Sequence, residues 1–440
     1  MNYRSAKYPI CLFGFFVALL GGCDPVRAGS AAAPGSPVGA NSINETYSAF
    51  LDLDLGFSTW QGTRGSNVFA PERGKGNQFF APLSLGFSYE RANEIRIDTK
   101  ATTGYASAHH DTVGQQASID TAVDTQLSTT ITFLNPEVFQ PFIGLALNMP
   151  TGKTYLPGNE RFTRMDPDLV GTGTYGMGFN VNPTIGVTFA LNNATAMSFG
   201  VGYAWMGAFT RETIDLVTGS FDAEQRVKPG DTFTANGTIS TALQNLTMAA
   251  SFAFMAETNL LLDELPAGRK GGRFIANFAA VYVIDPRWSL ENNFSWSYLT
   301  RDKVVDPAMG SLLDELKNSN SHVLILSTQP NYMITDRLKI GVNYSLLYRT
   351  ANSYDVVQQQ FVPAKIKQSA GLALSYALSE KAKIDLRLAH FWVVQQDGPL
   401  LPTVIQNFGF PTQTILQQAL SPPSLHYTGW TGGLATHVSF

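Results

Sequence analysis

Cysteine is confined to two positions near the N-terminus, Cys11 and Cys23. That excludes a disulfide framework and a thiolate site from the body of the chain. Charge is scarce too, at 15% of residues against about 25% in an ordinary soluble domain. Neither sign dominates, with a formal net charge of −4, so there is no basic tail or stripe to hold nucleic acid. Past the first twenty residues no apolar run approaches the roughly 20 residues that a membrane helix needs. What is abundant is hydrophobicity without runs: 44% hydrophobic residues, 12% aromatic, and 39 glycines among 440 residues. The aromatics and the low net charge exclude disorder. A surface so poor in charge must face something other than water. Spanning strands answer that need, because their alternation spreads hydrophobic residues out of any continuous run.

Arg4 and Lys7 precede an apolar core from Ile10 to Leu20, the form of a secretory signal peptide. Two cleavage readings compete. Val26-Arg27-Ala28 is a small-x-small site that makes residues 1–28 the signal peptide and starts the mature chain at Gly29. Leu20-Gly21-Gly22-Cys23 instead resembles a lipobox, which would make Cys23 a lipidated first residue. Plain cleavage is preferred, because a barrel needs no lipid anchor. Residues 29–45, which include the Ala-, Gly-, Pro- and Ser-rich stretch from Ala31 to Ala40, read as a flexible periplasmic lead-in. The remainder, 46–440, reads as barrel.

Successive residues of a strand point to opposite faces. Tyr47, Ala49, Leu51, Leu53, Leu55 and Phe57 alternate with Ser48, Asp52, Asp54, Gly56 and Ser58. Met197, Phe199, Val201, Tyr203 and Trp205 alternate with Ser198, Gly200, Gly202 and Ala204. Trp288, Leu290, Phe294, Trp296 and Tyr298 do so against Ser289, Glu291, Asn293, Ser295 and Ser297. The pattern predicts strands over 46–60, 79–90, 93–105, 118–134, 138–150, 174–191, 195–207, 231–243, 246–257, 272–284, 287–300, 321–333, 338–350, 364–378, 382–395 and 424–440. Links after the even strands are tight turns such as Asp285-Pro286, and links after the odd strands run about 12 to 28 residues. Short turns at one end and long loops at the other are the outer-membrane arrangement. The expected fold is therefore all-β, a transmembrane antiparallel up-and-down barrel of about sixteen strands. Fourteen or eighteen stay open, because 174–191 is long enough to divide.

The last strand holds Trp430, Leu434, Val438 and the terminal Phe440 in one phase. A final aromatic on an alternating strand resembles the signal by which the outer-membrane assembly machinery selects its clients. Aromatics near strand ends, namely Tyr47, Trp60, Trp205, Trp288 and Tyr348, suit girdles at the two membrane interfaces.

The opposite phase supplies a candidate lumen lining: Asp52, Asp54, Arg96, Asp98, Lys100, Asp120, Asp124, Glu291, Lys339, Arg349, Lys367, Asp385 and Arg387. These either set a selectivity field or pair and solvate in a wet lumen. The loops carry an unusual apolar load. Leu260-Leu261-Leu262-Asp263-Glu264-Leu265 and Leu312-Leu313-Asp314-Glu315-Leu316 share the letters LLDEL, spaced for a short amphipathic helical turn in neighbouring extracellular loops. The last long loop has no Lys, Arg, Asp or Glu after Asp397 and carries Leu401, Phe408 and Phe410. Such a patch either collects hydrophobic molecules at a vestibule or packs on its neighbours. Catalytic chemistry is thin. His109-His110-Asp111, expected on a loop, places adjacent imidazoles apart, and His390 falls in the lipid-facing phase. No metal site, cofactor or enzymatic activity is expected.

Leu147-Asn148-Met149-Pro150-Thr151-Gly152-Lys153-Thr154-Tyr155 ends the fifth strand, and Gly171-Thr172-Gly173-Thr174-Tyr175 leads through two alternating strands to Trp205. Both resemble segments of outer-membrane proteins linked to phenol and aromatic-compound degradation, distant relatives of the long-chain fatty-acid transporters. The likeness covers roughly residues 140–210, and the long N-terminal hatch of the fatty-acid transporters has no counterpart in 29–45. It implies passive uptake of hydrophobic or aromatic small molecules. The alternatives are a general hydrophilic porin and a structural or adhesion barrel acting through its loops. The expected partners are the lipid bilayer, the assembly machinery and a small-molecule solute.

Overall fold

Period-two alternation becomes strand almost everywhere it occurs. The computed structural model describes residues 45–440 except 66–71, 93, 113–114, 136–137, 214–222, 307–308, 355–360 and 396–423. Its strands are β1 (Glu45–Gly65), β2 (Glu72–Arg91), β3 (Ile95–Thr112), β4 (Gln115–Phe133), β5 (Phe139–Met149), β6 (Asn180–Asn192), β7 (Thr195–Met206), β8 (Phe209–Thr213), β9 (Ala223–Lys228), β10 (Thr232–Ala242) and β11 (Leu246–Glu257). They continue with β12 (Leu260–Leu262), β13 (Leu265–Arg269), β14 (Arg273–Val283), β15 (Trp288–Leu299), β16 (Lys303–Val305), β17 (Leu312–Asp314), β18 (His322–Thr335), β19 (Leu338–Arg349), β20 (Lys365–Ala377), β21 (Ala382–Gln395) and β22 (Ser424–Ser439). One short 3-10 helix, Gly158–Thr163, lies between β5 and β6.

Among the described residues sixteen strands close into a barrel in the order β1-β2-β3-β4-β5-β6-β7-β10-β11-β14-β15-β18-β19-β20-β21-β22. β22 returns to β1 in antiparallel register, with Phe50 opposite Ser439 and Thr63 opposite His426. Closure removes the unpaired edge that a membrane would penalise. The stretch 174–191 does not divide: β6 starts at Asn180, and the residues before it leave the wall.

The outer face is apolar where a soluble protein would be polar. Phe57, Leu85, Ile143, Ile185, Phe199, Phe252, Val342, Leu372, Leu386 and Leu388 are all exposed. Exposure on that scale is stable only against hydrocarbon. Aromatic pairs border the band at the short-turn end, Tyr47 with Tyr89 at 5.0 Å and Trp288 with Tyr332 at 4.8 Å. At the loop end Tyr203 and Trp205 lie 5.2 Å apart. Trp60 is not part of a girdle as expected. It occupies the inward phase of β1 and is 3% exposed. Its cross-strand neighbour Gly76 leaves the room it needs, since a Cβ there would sit 2.6 Å from the indole.

The wall is uneven in height. β1 to β4 run 18 to 21 residues, against 11 to 13 for β5, β6 and β7. The first two expected long loops are therefore largely strand, and His109-His110-Asp111 lies in β3. On the far side of the rim a second sheet forms in the order β17-β16-β13-β12-β9-β8, three hairpins joined edge to edge. Here the two LLDEL segments differ from expectation: neither is a helical turn. Leu260–Leu262 is β12, and Asp263 and Glu264 form the hairpin turn at φ 49 and 71. Leu312–Asp314 is β17, paired with β16. Edge-to-edge pairing satisfies backbone groups that a lone helical turn would leave to water, and Asp tolerates the left-handed turn. Arg226 stabilises that turn, its backbone N–H donating to Asp263 and its guanidinium to Glu264.

Candidate functional site: a segment packed against the inner wall

Residues 150–179, between β5 and β6, fold into the barrel rather than away from it. A bulge in β4 starts this. The pairing of β3 with β4 slips between Thr102, opposite Gln126, and Gly104, opposite Val123. The extra residue reverses the phase of β4 above it. Asp124 sits at the slip and holds both legs of the segment. Its Oδ1 accepts from the Gly152 N–H at 2.9 Å, and its Oδ2 from the Met177 N–H and the Asn148 amide, both at 2.6 Å. Its own N–H donates to the Tyr175 carbonyl. Thr151 donates its hydroxyl to the Val123 carbonyl at 2.9 Å and accepts from the Thr125 N–H at 2.8 Å. Gly152 is required by the closeness of the two legs, because a Cβ would stand 1.9 Å from the Tyr175 carbonyl oxygen. The Pro-Thr-Gly signature is thus a clasp.

From the clasp the segment runs along the inner face of the tall side. Leu156, Met165, Leu169, Val170 and Tyr175 bury against Trp60, Ala106, Ala108, Ile119, Phe391 and Val393. Polar bonds fix its height. The Gln78 amide pairs with the Thr172 peptide in both directions, at 2.7 and 2.9 Å, as a neighbouring strand would. His110 Nδ1 lies 2.8 Å from the Phe162 carbonyl, and the Tyr175 hydroxyl donates to the Thr163 carbonyl at 3.0 Å. Lys365 on β20, 3% exposed, donates to Asp166 at 2.5 Å and Asp168 at 2.6 Å. Lys367 donates to the Asp168 carbonyl. Arg164 Nε donates to Glu212 of β8 at 2.8 Å, tying the segment to the rim sheet. Burial pushes the Asp166 carboxyl up, and the Lys365 ammonium more than offsets this, leaving it below the ordinary 3.8. Glu212 is likewise lowered, burial being outweighed by the Arg164 guanidinium and by backbone N–H donors.

Toward the short-turn end the inner wall is polar and its side chains are partly exposed. Asp52 lies 2.6 Å from His437, and both side chains are 40% exposed. Asp54 occupies the same inward phase of β1. Arg96 pairs with Asp98 at 2.8 Å, and Lys100 shares their phase on β3. Glu291 pairs with Lys339 at 3.1 Å, and Asp385 with Lys383 at 2.9 Å. Arg387 is exposed. Arg349 lies at the opposite, loop end of β19, where it donates to the buried Gln395 at 2.8 Å.

Two of the expected lining residues differ. Asp120 lies above the bulge and faces outward, where it accepts from the exposed Tyr105 hydroxyl at 2.9 Å. Asp124 serves the clasp. Sequence reasoning missed Gln78, His110, Asp166, Asp168 and Lys365 as a set, because their contacts join positions up to 199 residues apart. Of the apolar loop residues, Leu265 and Leu316 are 70% and 88% exposed, while Leu261 and Leu312 are half-buried in the rim sheet. Leu401, Phe408 and Phe410 lie outside the described residues. Trp430 faces outward, Val438 pairs with Leu51, and the Phe440 N–H donates to the Ala49 carbonyl at 2.9 Å. His390 faces outward beside Trp392, as expected.

No protein-family model and no curated protein sequence matches the chain. Among solved structures it is similar to an outer membrane channel from Pseudomonas putida F1, at 9% identity, TM-score 0.35, over 91% of this chain and 97% of that one. It is similar to the toluene transporter TodX of P. putida, at 9% identity, TM-score 0.35, over 91% and 90%. The Acinetobacter baumannii protein OccAB1 matches at 9% identity, TM-score 0.40, over 90% and 97%. The architecture stands on the strand pairing itself: among the described residues the chain is a closed sixteen-stranded barrel with an apolar outer band and a segment seated on its inner wall.

Proposed function

We propose that the protein is a passive outer-membrane channel for small hydrophobic or aromatic solutes. The observation that carries this is the division of the inner wall. One side is covered by the 150–179 segment, buried as tightly as a protein core, while the short-turn end keeps exposed polar and charged pairs. A structural barrel has no need to hold a segment against its wall through a buried lysine and two carboxylates. A channel does, because such a segment sets the width of the path. The greasy solute class is supported by the exposed Leu265, Leu313 and Leu316 at the rim and by the Pro-Thr-Gly resemblance. The hydrophilic alternative is favoured by the polar pair Asp52–His437 and the ion pair Glu291–Lys339. Single-channel conductance of the refolded protein in a planar bilayer, with and without a phenolic or fatty-acid solute, tests the proposal. Small steps that the solute blocks in a concentration-dependent way are expected. Large steps indifferent to both solutes would establish a general porin, and silence with no solute effect would leave a structural role.

A further inference from the structure

The outer face of the tall side carries a polar cleft where the membrane surface would lie. In register across β21, β22, β1 and β2, one outward row is Leu388, Gly432, Phe57 and Phe79. The next row toward the loops is His390, Trp430, Thr59 and Asn77, continued by His109 on β3. The row beyond holds Trp392, Thr428, Gln61 and Lys75, continued by Asp111 on β3. A purely apolar row thus gives way within one step to rows that mix indoles with amides, hydroxyls and imidazoles, as at a membrane interface. Between these rows lies a cleft of about 500 Å³. Its walls are held in place: Thr428 Oγ1 lies 2.9 Å from His390 Nε2, and the His390 ring meets Trp430 edge-on at 4.9 Å. Lys75 is only loosely held by Asp111 at 3.4 Å, and its side chain is 70% exposed.

We propose that this cleft binds the sugar-phosphate headgroup of an outer-leaflet glycolipid, whose acyl chains run down the apolar rows beneath it. The proposal rests on the outer-membrane placement above. The chemistry matches part by part. The Trp430 face suits the C–H face of a sugar ring, as aromatic rings suit amphipathic surfaces at the interface. The Gln61 and Asn77 amides and the Thr59 hydroxyl offer both donors and acceptors to sugar hydroxyls. Lys75 and His109 stand on one side of the cleft to meet a phosphate. A free phosphate alone would leave the indole and the two amides without a role.

Native mass spectrometry of the detergent-solubilised full chain tests this, with a diphosphorylated lipid A-type glycolipid as probe. The parent should retain one glycolipid in the presence of excess inorganic phosphate. Lys75→Gln should weaken retention about fivefold, the ~1 kcal/mol a cation contributes at an anionic membrane surface. Asn77→Leu should weaken binding of both the phosphorylated glycolipid and its dephosphorylated form. Equal retention by parent and both variants would overturn the proposal, and so would displacement by inorganic phosphate. These side chains face away from the lumen, so both variants should conduct as the parent does. Retained glycolipid on a barrel that fails to conduct would defeat the channel reading and leave this site standing. A conducting barrel with no retention would do the reverse.

Discussion

At the scale of single residues, Lys365 is the decisive group of the inner wall. A buried ammonium is tolerated here because two carboxylates meet it, and removing one partner of such an arrangement costs about 3–5 kcal/mol. Lys365→Met leaves Asp166 and Asp168 facing an apolar neighbour. The expected result is a barrel that still folds but conducts with larger and noisier steps, with quiet behaviour restored when Asp166→Asn and Asp168→Asn are added. Unchanged steps in the single variant would show that the pair does not hold the segment. The pair also sets a pH response. The carboxyl of Asp166 lies lower in the folded protein than its ordinary 3.8. A depressed folded value means the stabilisation is complete above the ordinary value and lost as pH falls through the folded one. Conductance noise should therefore be flat from neutral pH down to the ordinary carboxylate range and rise only below it. A rise near pH 6 would assign the response to a histidine instead.

At the scale of elements, one slipped residue in β4 does two things. It turns Asp120 outward and leaves Asp124 free to receive three donors from the clasp. Gly152→Ala places a methyl against the Tyr175 carbonyl oxygen, which is backbone and cannot swing aside. The segment should detach at its first leg while the barrel stays closed. Limited proteolysis checks this, with new cleavage between 153 and 170 in the variant and an intact remainder. Protection equal to the parent would show that the clasp relaxes without cost. The LLDEL pair teaches a similar lesson. Its letters suit a helical turn and a hairpin equally, and the unpaired edges of the neighbouring hairpins decide for strand.

At the scale of the whole molecule, closure depends on β22, whose sixteen residues meet β1 and β21 at once. Phe440 is 68% exposed, and its N–H donates to the Ala49 carbonyl beside the seam with β1; its ring is proposed as a contact for the assembly machinery. Phe440→Ser should therefore lower the amount of assembled, heat-modifiable barrel several-fold in cells, whereas a change at Ser42 in the lead-in should not. Equal membrane levels for the two would remove the assembly role from Phe440.

Much of this architecture is local and so legible in the sequence. Strand phase follows from alternation, as in Tyr47 to Phe57, and every expected strand has a counterpart in the barrel. Turn position follows from residues such as Asp285-Pro286 that bend a chain whatever surrounds them. The chain by itself thus determined the strand order, the barrel and the apolar outer band, because period-two patterning and tight turns act over a few residues. What only the tertiary structure decided is where 150–179 goes and what holds it. Trp60 and Gln78 on β1 and β2 lie far in sequence from Lys365 and Phe391 on β20 and β21, and only closure of β22 on β1 brings the two pairs to one wall. The bulge at Asp124 was equally hidden, since one extra residue changes neither composition nor alternation enough to be seen. Long-range pairing carries the information that local pattern cannot: a charge on an inward strand face becomes lining, clasp or latch according to what the closed barrel sets against it.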